Sequence, residues 1–171
     1  MSDYVFYLDK CLSELGSQIQ ETTFSGFGEI FMDKGVEEKI AYASSCGLLV
    51  HVLSNGSMLT PSRADKLFEA GIKDVRISLH TSNPDSYGKI MNYKSSKFTF
   101  ENTIRNLDYA INNKPSDVDI IITADIVEEN RDDVDRLIND YGDKCSLEIW
   151  KPHNWVYGKE YRDKSSENVL D

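Results

Sequence analysis

Cysteine is scarce and scattered in this chain: Cys11, Cys46 and Cys145 are the only three in 171 residues. No CxxC or CxxxCxxC spacing exists, so the sequence carries neither a local thiolate metal motif nor a disulfide framework, and an odd, sparse set reads as reduced thiols. Cys46 and Cys145 adjoin apolar segments and are expected to be small core residues. Positive charge is also short. Nineteen Lys and Arg stand against 29 Asp and Glu, a formal net charge of −10. This disfavours a nucleic-acid partner or an anionic membrane surface, because phosphate groups are bound by Lys and Arg. No apolar run approaches the ~20 residues that span a bilayer, and residues 1–20 lack signal-peptide character, so the expected location is the cytoplasm. GxGxxG and phosphate-loop motifs are missing, which removes support for a nucleotide phosphate site.

What is present is regular. The length suits one domain able to bury about 70 % of its unfolded surface. Val5, Leu8, Leu12, Leu15 and Ile19 recur at helical spacing over Tyr4 to Ile19. A Thr-rich strand is expected over Gln20 to Ser25. A helix runs from Val36 to Cys46 and stops at Gly47, and a strand from Leu48 to Leu53 closes on the turn pair Asn55-Gly56. Thr60 and Pro61 have the types expected for the N-cap and first position of a helix that ends at Gly71. A strand over Asp74 to Leu79 follows, then helices over Asp85 to Met91 and Phe100 to Asn112, the second ended by Pro115. Asp117 to Ala124 is a strand, Asp132 to Tyr141 a helix, and Ser146 to Trp150 the last strand. Tyr87, Tyr93 and Phe98 read as packing anchors. The acidic stretch from Asp125 to Asp143 reads as a solvated helix face, and residues 157–171 as a polar tail after one domain over 1–156.

Alternating strands and helices argue for parallel βα units. Within the strands, Val50, Val52, Val75, Ile77, Leu79, Ile120, Ile122, Leu147 and Ile149 share one parity. The other carries Thr23, Ser25, His51, Asn55, Arg76, Ser78, His80, Asp119, Thr123, Asp125, Glu148 and Trp150. A doubly wound sheet is covered on both faces and is apolar on both. One apolar face implies helices on one side only. The expected fold is α/β: a partial (βα) TIM-like barrel of about five parallel strands, helices on the outer face, polar face curved around a site. The competing reading makes His51, Arg76 and Glu148 a salt-bridge cluster.

Ligands in parallel α/β folds bind at the carboxyl ends of strands. Those ends supply Ser25, Gly26, Phe27, Gly28 and Glu29 in the first loop, then Asn55, Ser78, His80 and Thr123. Two glycines let a backbone approach a ligand closely, Glu29 can accept from an ammonium, and Asn55, Ser78 and Thr123 suit a ribose. An alternative makes His51, His80 and His153 metal ligands or bases, but their spacing matches no zinc motif, and structural histidines are the preferred reading.

In order, these segments resemble the radical S-adenosylmethionine superfamily, in particular its cofactor and peptide maturases. Phe24-Ser25-Gly26-Phe27-Gly28-Glu29-Ile30 resembles the Gly-x-Gly-Glu-Pro loop, and Leu53-Ser54-Asn55-Gly56 the Thr-Asn-Gly strand end. Val75-Arg76-Ile77-Ser78-Leu79-His80 resembles the strand whose serine faces the ribose. Phe98-Thr99-Phe100 to Leu107, Ile126 to Asn130 and Trp150 to Trp155 resemble the later helix, loop and strand end, so the likeness covers about residues 20–155.

The resemblance implies that Gly26 to Glu29 hold the methionyl amino group, that Ser78 and His80 face the ribose, and that Thr123 lies beside the adenosyl group. It also implies S-adenosylmethionine and a 4Fe–4S cluster as cofactors of the full-length parent, and a small-molecule or peptide substrate there. Two departures stand out: Ile30 replaces the motif's proline, and the CxxxCxxC loop that ligates the cluster is not in this sequence. Cys11, Cys46 and Cys145 do not have its spacing. The expectation is therefore a fragment of a radical enzyme, cut at both ends, inactive alone and binding neither cofactor tightly. The alternative is a non-catalytic binding or partner module on the same scaffold. An exposed first strand edge would favour it by inviting self-association. His153-Asn154-Trp155 is equally suited to touching substrate or capping the barrel.

Overall fold

Each short apolar segment becomes a strand, and each strand takes its place beside the one before it. The computed structural model describes residues 1–92 and 98–151. Strands β1 (Glu21–Phe24), β2 (Leu49–Ser54), β3 (Asp74–Ser78), β4 (Asp119–Asp125) and β5 (Ser146–Trp150) form one sheet in the order β1-β2-β3-β4-β5, with every pair parallel. Helix α1 (Ser2–Leu15) precedes β1, and α2 (Val36–Ser45), α3 (Pro61–Glu69), α4 (Pro84–Met91), α5 (Phe100–Asn113) and α6 (Val134–Tyr141) make the connections. Neighbouring order with parallel pairing is the βα pattern of an open, partial barrel. β1 and β5 are its edges. Tyr93, His153-Asn154-Trp155 and the polar tail lie outside the described residues.

Local chemistry sets most boundaries. Gly47 (φ 83°) and Gly71 (φ 74°) leave α2 and α3 through the left-handed region. Pro115 follows two residues after α5, and Lys114 before it is already extended. Asn83 and Thr99 cap α4 and α5 by accepting from the Asp85 and Asn102 amides. Thr60 departs from its expected role: it occupies the N-cap of α3, but its side chain makes no capping bond, and Pro61 alone starts that helix. Cys46 and Cys145 are half-buried, and Cys145 packs against the core.

The two faces of the sheet differ as the alternation implies. Val50, Val52, Val75, Ile77, Ile120 and Ile122 are at most 1 % exposed and pack against Ile40, Leu67, Leu107 and Leu137 of the helices. Each such side chain contributes about 1.5–3 kcal/mol by leaving water. The opposite face carries a chain of charges. His51 Nδ1 lies 2.7 Å from Asp74 Oδ2, and Nε2 lies 3.5 Å from Glu21 Oε2. Arg76 Nε lies 3.5 Å from Asp74 Oδ1, while its Nη1 contacts both Glu148 carboxylate oxygens at 2.9 and 2.8 Å. The His51, Arg76 and Glu148 cluster thus forms, with buried Asp74 joining its halves. It lies below the strand ends and leaves them open.

Candidate functional site

The site is built from loops that leave the carboxyl ends of β1 to β4. After β1 the chain passes through Ser25 to Gly28, all exposed, with Gly28 at φ 104°, a conformation that favours glycine. Glu29 then turns inward. One of its oxygens accepts from the Ser54 hydroxyl at 2.8 Å and from the Phe31 amide at 3.3 Å, and the other from the Asn55 amide at 2.8 Å. The Phe31 bond also caps the 3₁₀ turn Ile30–Met32 that stands where the family motif has proline. Ser54 Oγ in turn accepts from the Gly56 amide at 2.9 Å. The Glu29 carboxylate therefore staples the end of β1 to the end of β2.

The staple holds the glycine loop beside the β2 and β3 ends. Ser25, Gly26, Gly28, Leu53, Ser54, Asn55 and Ser78 line a cavity of about 180 Å³. Asn55 Oδ1 accepts from the Ser57 amide and hydroxyl, so its Nδ2 is left to donate elsewhere. Thr123 Oγ1 donates to Ser78 Oγ at 3.3 Å, so Thr123 reaches the site through Ser78. His80 stands further along, at the β3 end, with Nδ1 accepting from the Asp125 amide at 3.1 Å. Burial lowers its pKa, outweighing the nearby Asp125 carboxylate. Phe27 is fully exposed and lines a second space, about 310 Å³, between the free edge of β1, Tyr4 and the same loop.

The predicted set is thus brought together in part. Ser25, Gly26, Gly28, Asn55 and Ser78 share a cavity, Glu29 and Thr123 support it by hydrogen bonds, and His80 and Phe27 stand outside its wall. His51 is at the other end of the sheet, bonded to Asp74. Among the described residues no group of three or more His, Cys, Asp or Glu side chains is placed to hold a metal. Cys11 is exposed on α1, and burial pushes the Cys145 thiol up to about 11.

Sequence reasoning missed the side chains that lock these loops. Asn106 on α5 is buried and donates to the Gly56 and Ser57 carbonyls at 3.2 and 3.3 Å. Asn130, 1 % exposed, donates to the His80 and Asp125 carbonyls and accepts from the Val127 amide. Asp133 accepts from Thr81 and Asn83 at 3.0 and 2.9 Å. Burial raises its pKa, but bonds from Ser86, Asn83 and Thr81 outweigh that and lower it. An asparagine on the core-facing stripe of α5 is a legible signal for Asn106. Nothing in the sequence around Asn130 distinguishes it from its acidic neighbours.

Residues 7–141 match the family model of the Radical SAM superfamily. The chain belongs to that superfamily. A probable GTP 3',8-cyclase of Methanosarcina acetivorans is 29 % identical over 133 residues, covering 77 % of this chain and 38 % of that protein. A GTP 3',8-cyclase of Pelotomaculum thermopropionicum is 41 % identical over 64 residues, 37 % of this chain and 20 % of that one. A PqqA peptide cyclase of Ruegeria pomeroyi is 28 % identical over 96 residues, 56 % of this chain and 24 % of that one. Among solved structures, TYW1 with a lysine-pyruvate adduct bound superposes with a TM-score of 0.63 at 20 % identity, over 80 % of this chain and 43 % of that one. Archaeal TYW1 gives 0.58 at 20 % identity, over 86 % and 50 %. The chain spans less than half the length of the curated relatives it matches. S-adenosylmethionine and a 4Fe–4S cluster are the cofactors of full-length radical SAM proteins. The cysteines present here do not fit the cluster, whereas the strand-end loops offer groups suited to S-adenosylmethionine. No helix among the described residues is long and apolar enough to cross a membrane.

Proposed function

We propose that this chain is the S-adenosylmethionine-holding part of a radical SAM enzyme, binding that ligand at the β1 to β4 strand ends and not turning it over by itself. The observation that carries the reading is the Glu29 staple, which ties the glycine loop to the β2 end, where Ser25, Gly26 and Gly28 line one cavity with Asn55 and Ser78. Carbonyl oxygens of Gly26 to Gly28 suit the methionyl ammonium, with Glu29 supplying negative charge beneath it. Asn55, Ser78 and Thr123 are neutral groups suited to a ribose. In a whole enzyme, reductively cleaved S-adenosylmethionine supplies the hydrogen-abstracting group. This chain's residues orient the ligand and exclude water from its sugar. The substrate of that enzyme is a small molecule or a peptide, as the names of the cyclase relatives divide. The net charge of −10 weighs against a nucleic acid.

Isothermal titration of the metal-free chain with S-adenosylmethionine tests this. Weak binding without cleavage, needing ligand well above micromolar, is the expected result, and no binding up to millimolar ligand would refute it.

A second reading, a non-catalytic partner module, is favoured by β1. The Leu49 amide bonds to the Gln20 carbonyl. By the alternation of a parallel ladder, Glu21 and Thr23 then turn their amides and carbonyls away from β2, toward the open side. On this reading the chain dimerises through that edge. Sedimentation of the wild type and of Thr23→Lys decides it: a dimer lost in the variant supports the module, and a concentration-independent monomer eliminates it.

A further inference from the structure

Asn106 is an amide on an otherwise apolar helix face. Thr103, Asn106, Leu107 and Ala110 are the buried residues of α5, and an amide among them is costly to bury unless its hydrogen bonds are made. Asn106 Nδ2 donates to two consecutive carbonyls of one turn, Gly56 at 3.2 Å and Ser57 at 3.3 Å. Thr103, one turn earlier on the same helix, closes on the same place. A Cβ at Gly56 would lie 3.2 Å from Thr103 Cγ2 and 3.0 Å from Ile77 Cγ2. Thr103 Oγ1 in turn lies 3.0 Å from the hydroxyl of buried Tyr87 on α4. The Asn55-Gly56-Ser57 turn is therefore clamped between α5 and β3.

What the turn holds is the Asn55 side chain. Its Oδ1 accepts from the Ser57 amide at 3.0 Å and from the Ser57 hydroxyl at 2.6 Å. A backbone N–H only donates, so the atom facing it is the oxygen, and Nδ2 is on the other side of the group. No hydrogen bond from Asn55 Nδ2 occurs among the described residues. Asn55 also lines the cavity at the strand ends, whereas Asn106 is not among its walls. A donor already fixed in its bound orientation loses less freedom when a ligand arrives.

Resting on the strand-end binding reading above, we propose that Asn106 is a positioning residue for the ligand: it fixes Ser57, Ser57 fixes the Asn55 amide, and Asn55 Nδ2 is thereby held ready to donate to an acceptor atom of the ligand. Asn106 touches no ligand atom and acts through the turn.

Nuclear magnetic resonance of the full chain reads both halves of this role. Nitrogen-15 relaxation is expected to show Asn55 Nδ2 as rigid as the backbone around it, and S-adenosylmethionine to move its signal. Asn106→Leu roughly keeps the volume but bonds to neither carbonyl. It should make Asn55 Nδ2 as mobile as that of an exposed asparagine and weaken S-adenosylmethionine binding roughly three- to tenfold, as for one hydrogen bond. Leu107→Ala, the next residue on α5, is the control for lost stability alone, because it opens a core cavity and removes no bond to the turn. It should melt well below the wild type and keep both the rigid Asn55 and the affinity. Should Asn106→Leu not fold, Asn106→Asp decides. Ionised, that side chain donates to neither carbonyl; protonated, it regains one donor. Asn55 should then become rigid again on acidification, and a failure to do so would overturn the proposal. A folded Asn106→Leu with rigid Asn55 and unchanged affinity would also overturn it, as would an equal loss of affinity in Leu107→Ala. A wild type with rigid Asn55 that binds no S-adenosylmethionine up to millimolar ligand refutes the strand-end reading and the ligand role together, with the hold of Asn106 on Asn55 left standing.

Discussion

The Ser54 hydroxyl donates to Glu29 Oε1 at 2.8 Å, across the ends of two adjacent strands. The same carboxylate accepts the Asn55 amide, so the first two site loops move as one unit. Glu29→Gln puts an amide NH₂ against one of these donors. It is expected to cost about 1–3 kcal/mol, and Ser54→Ala about 1 kcal/mol. The two are in contact, so the double variant should fall short of the sum by about 0.5 kcal/mol or more. Urea denaturation of the four proteins measures this; full additivity would mean that the staple carries no energy.

Gly56 sits at φ 77°, and a Cβ there would lie 3.0 Å from Ile77 Cγ2 and 3.2 Å from Thr103 Cγ2. Both the backbone and the space require glycine. Gly56→Ala is expected to lose more than about 1 kcal/mol, although the same change at an unstrained position is stabilising. The thermal midpoint reads the difference.

Burial holds the His80 pKa below the ordinary imidazole value of about 6.5. Between that value and the folded one the unfolded chain binds more protons, so stability rises with pH in this window. The His80 contribution is full above about 6.5 and is lost as the pH falls through the folded pKa. The wild type should therefore lose stability relative to His80→Asn on acidification from pH 7.5 to 5. A difference independent of pH would show that the ring does not titrate differently on folding.

Asp74 is buried between His51 and Arg76, while Glu148 is about a quarter exposed. Removing Asp74 takes the buried carboxylate from both partners, leaving His51 with exposed Glu21 and Arg76 with Glu148, and Asp74→Ala should cost about 2 kcal/mol. Glu148→Ala frees a third-exposed Arg76 that water can solvate, at a cost of about 1 kcal/mol. Raised salt should weaken the Glu148 effect more than the Asp74 effect. Denaturant midpoints in low and high salt test the order.

Much of this protein is written locally. Val50, Val52, Val75, Ile77, Ile120 and Ile122 alternate with polar residues, and Gly47, Gly71, Pro61 and Pro115 punctuate them. Period, turn chemistry and strand–helix order were therefore enough to specify five parallel strands with one apolar face and the strand-end loops that line the candidate cavity. The glycine loop, Asn55 and Ser78 were legible because a parallel sheet sends all its carboxyl ends to one side. Other assignments needed the tertiary structure, because the partners lie far apart in the chain: Glu29 and Ser54 by 25 residues, His51 and Asp74 by 23, His80 and Asp125 by 45, Arg76 and Glu148 by 72. Sequence spacing says which side of a strand a residue takes. Only the register between strands says which donor meets which acceptor, and that made Glu29 a staple, Asp74 the joint of an ion chain and His80 an acceptor for the Asp125 amide.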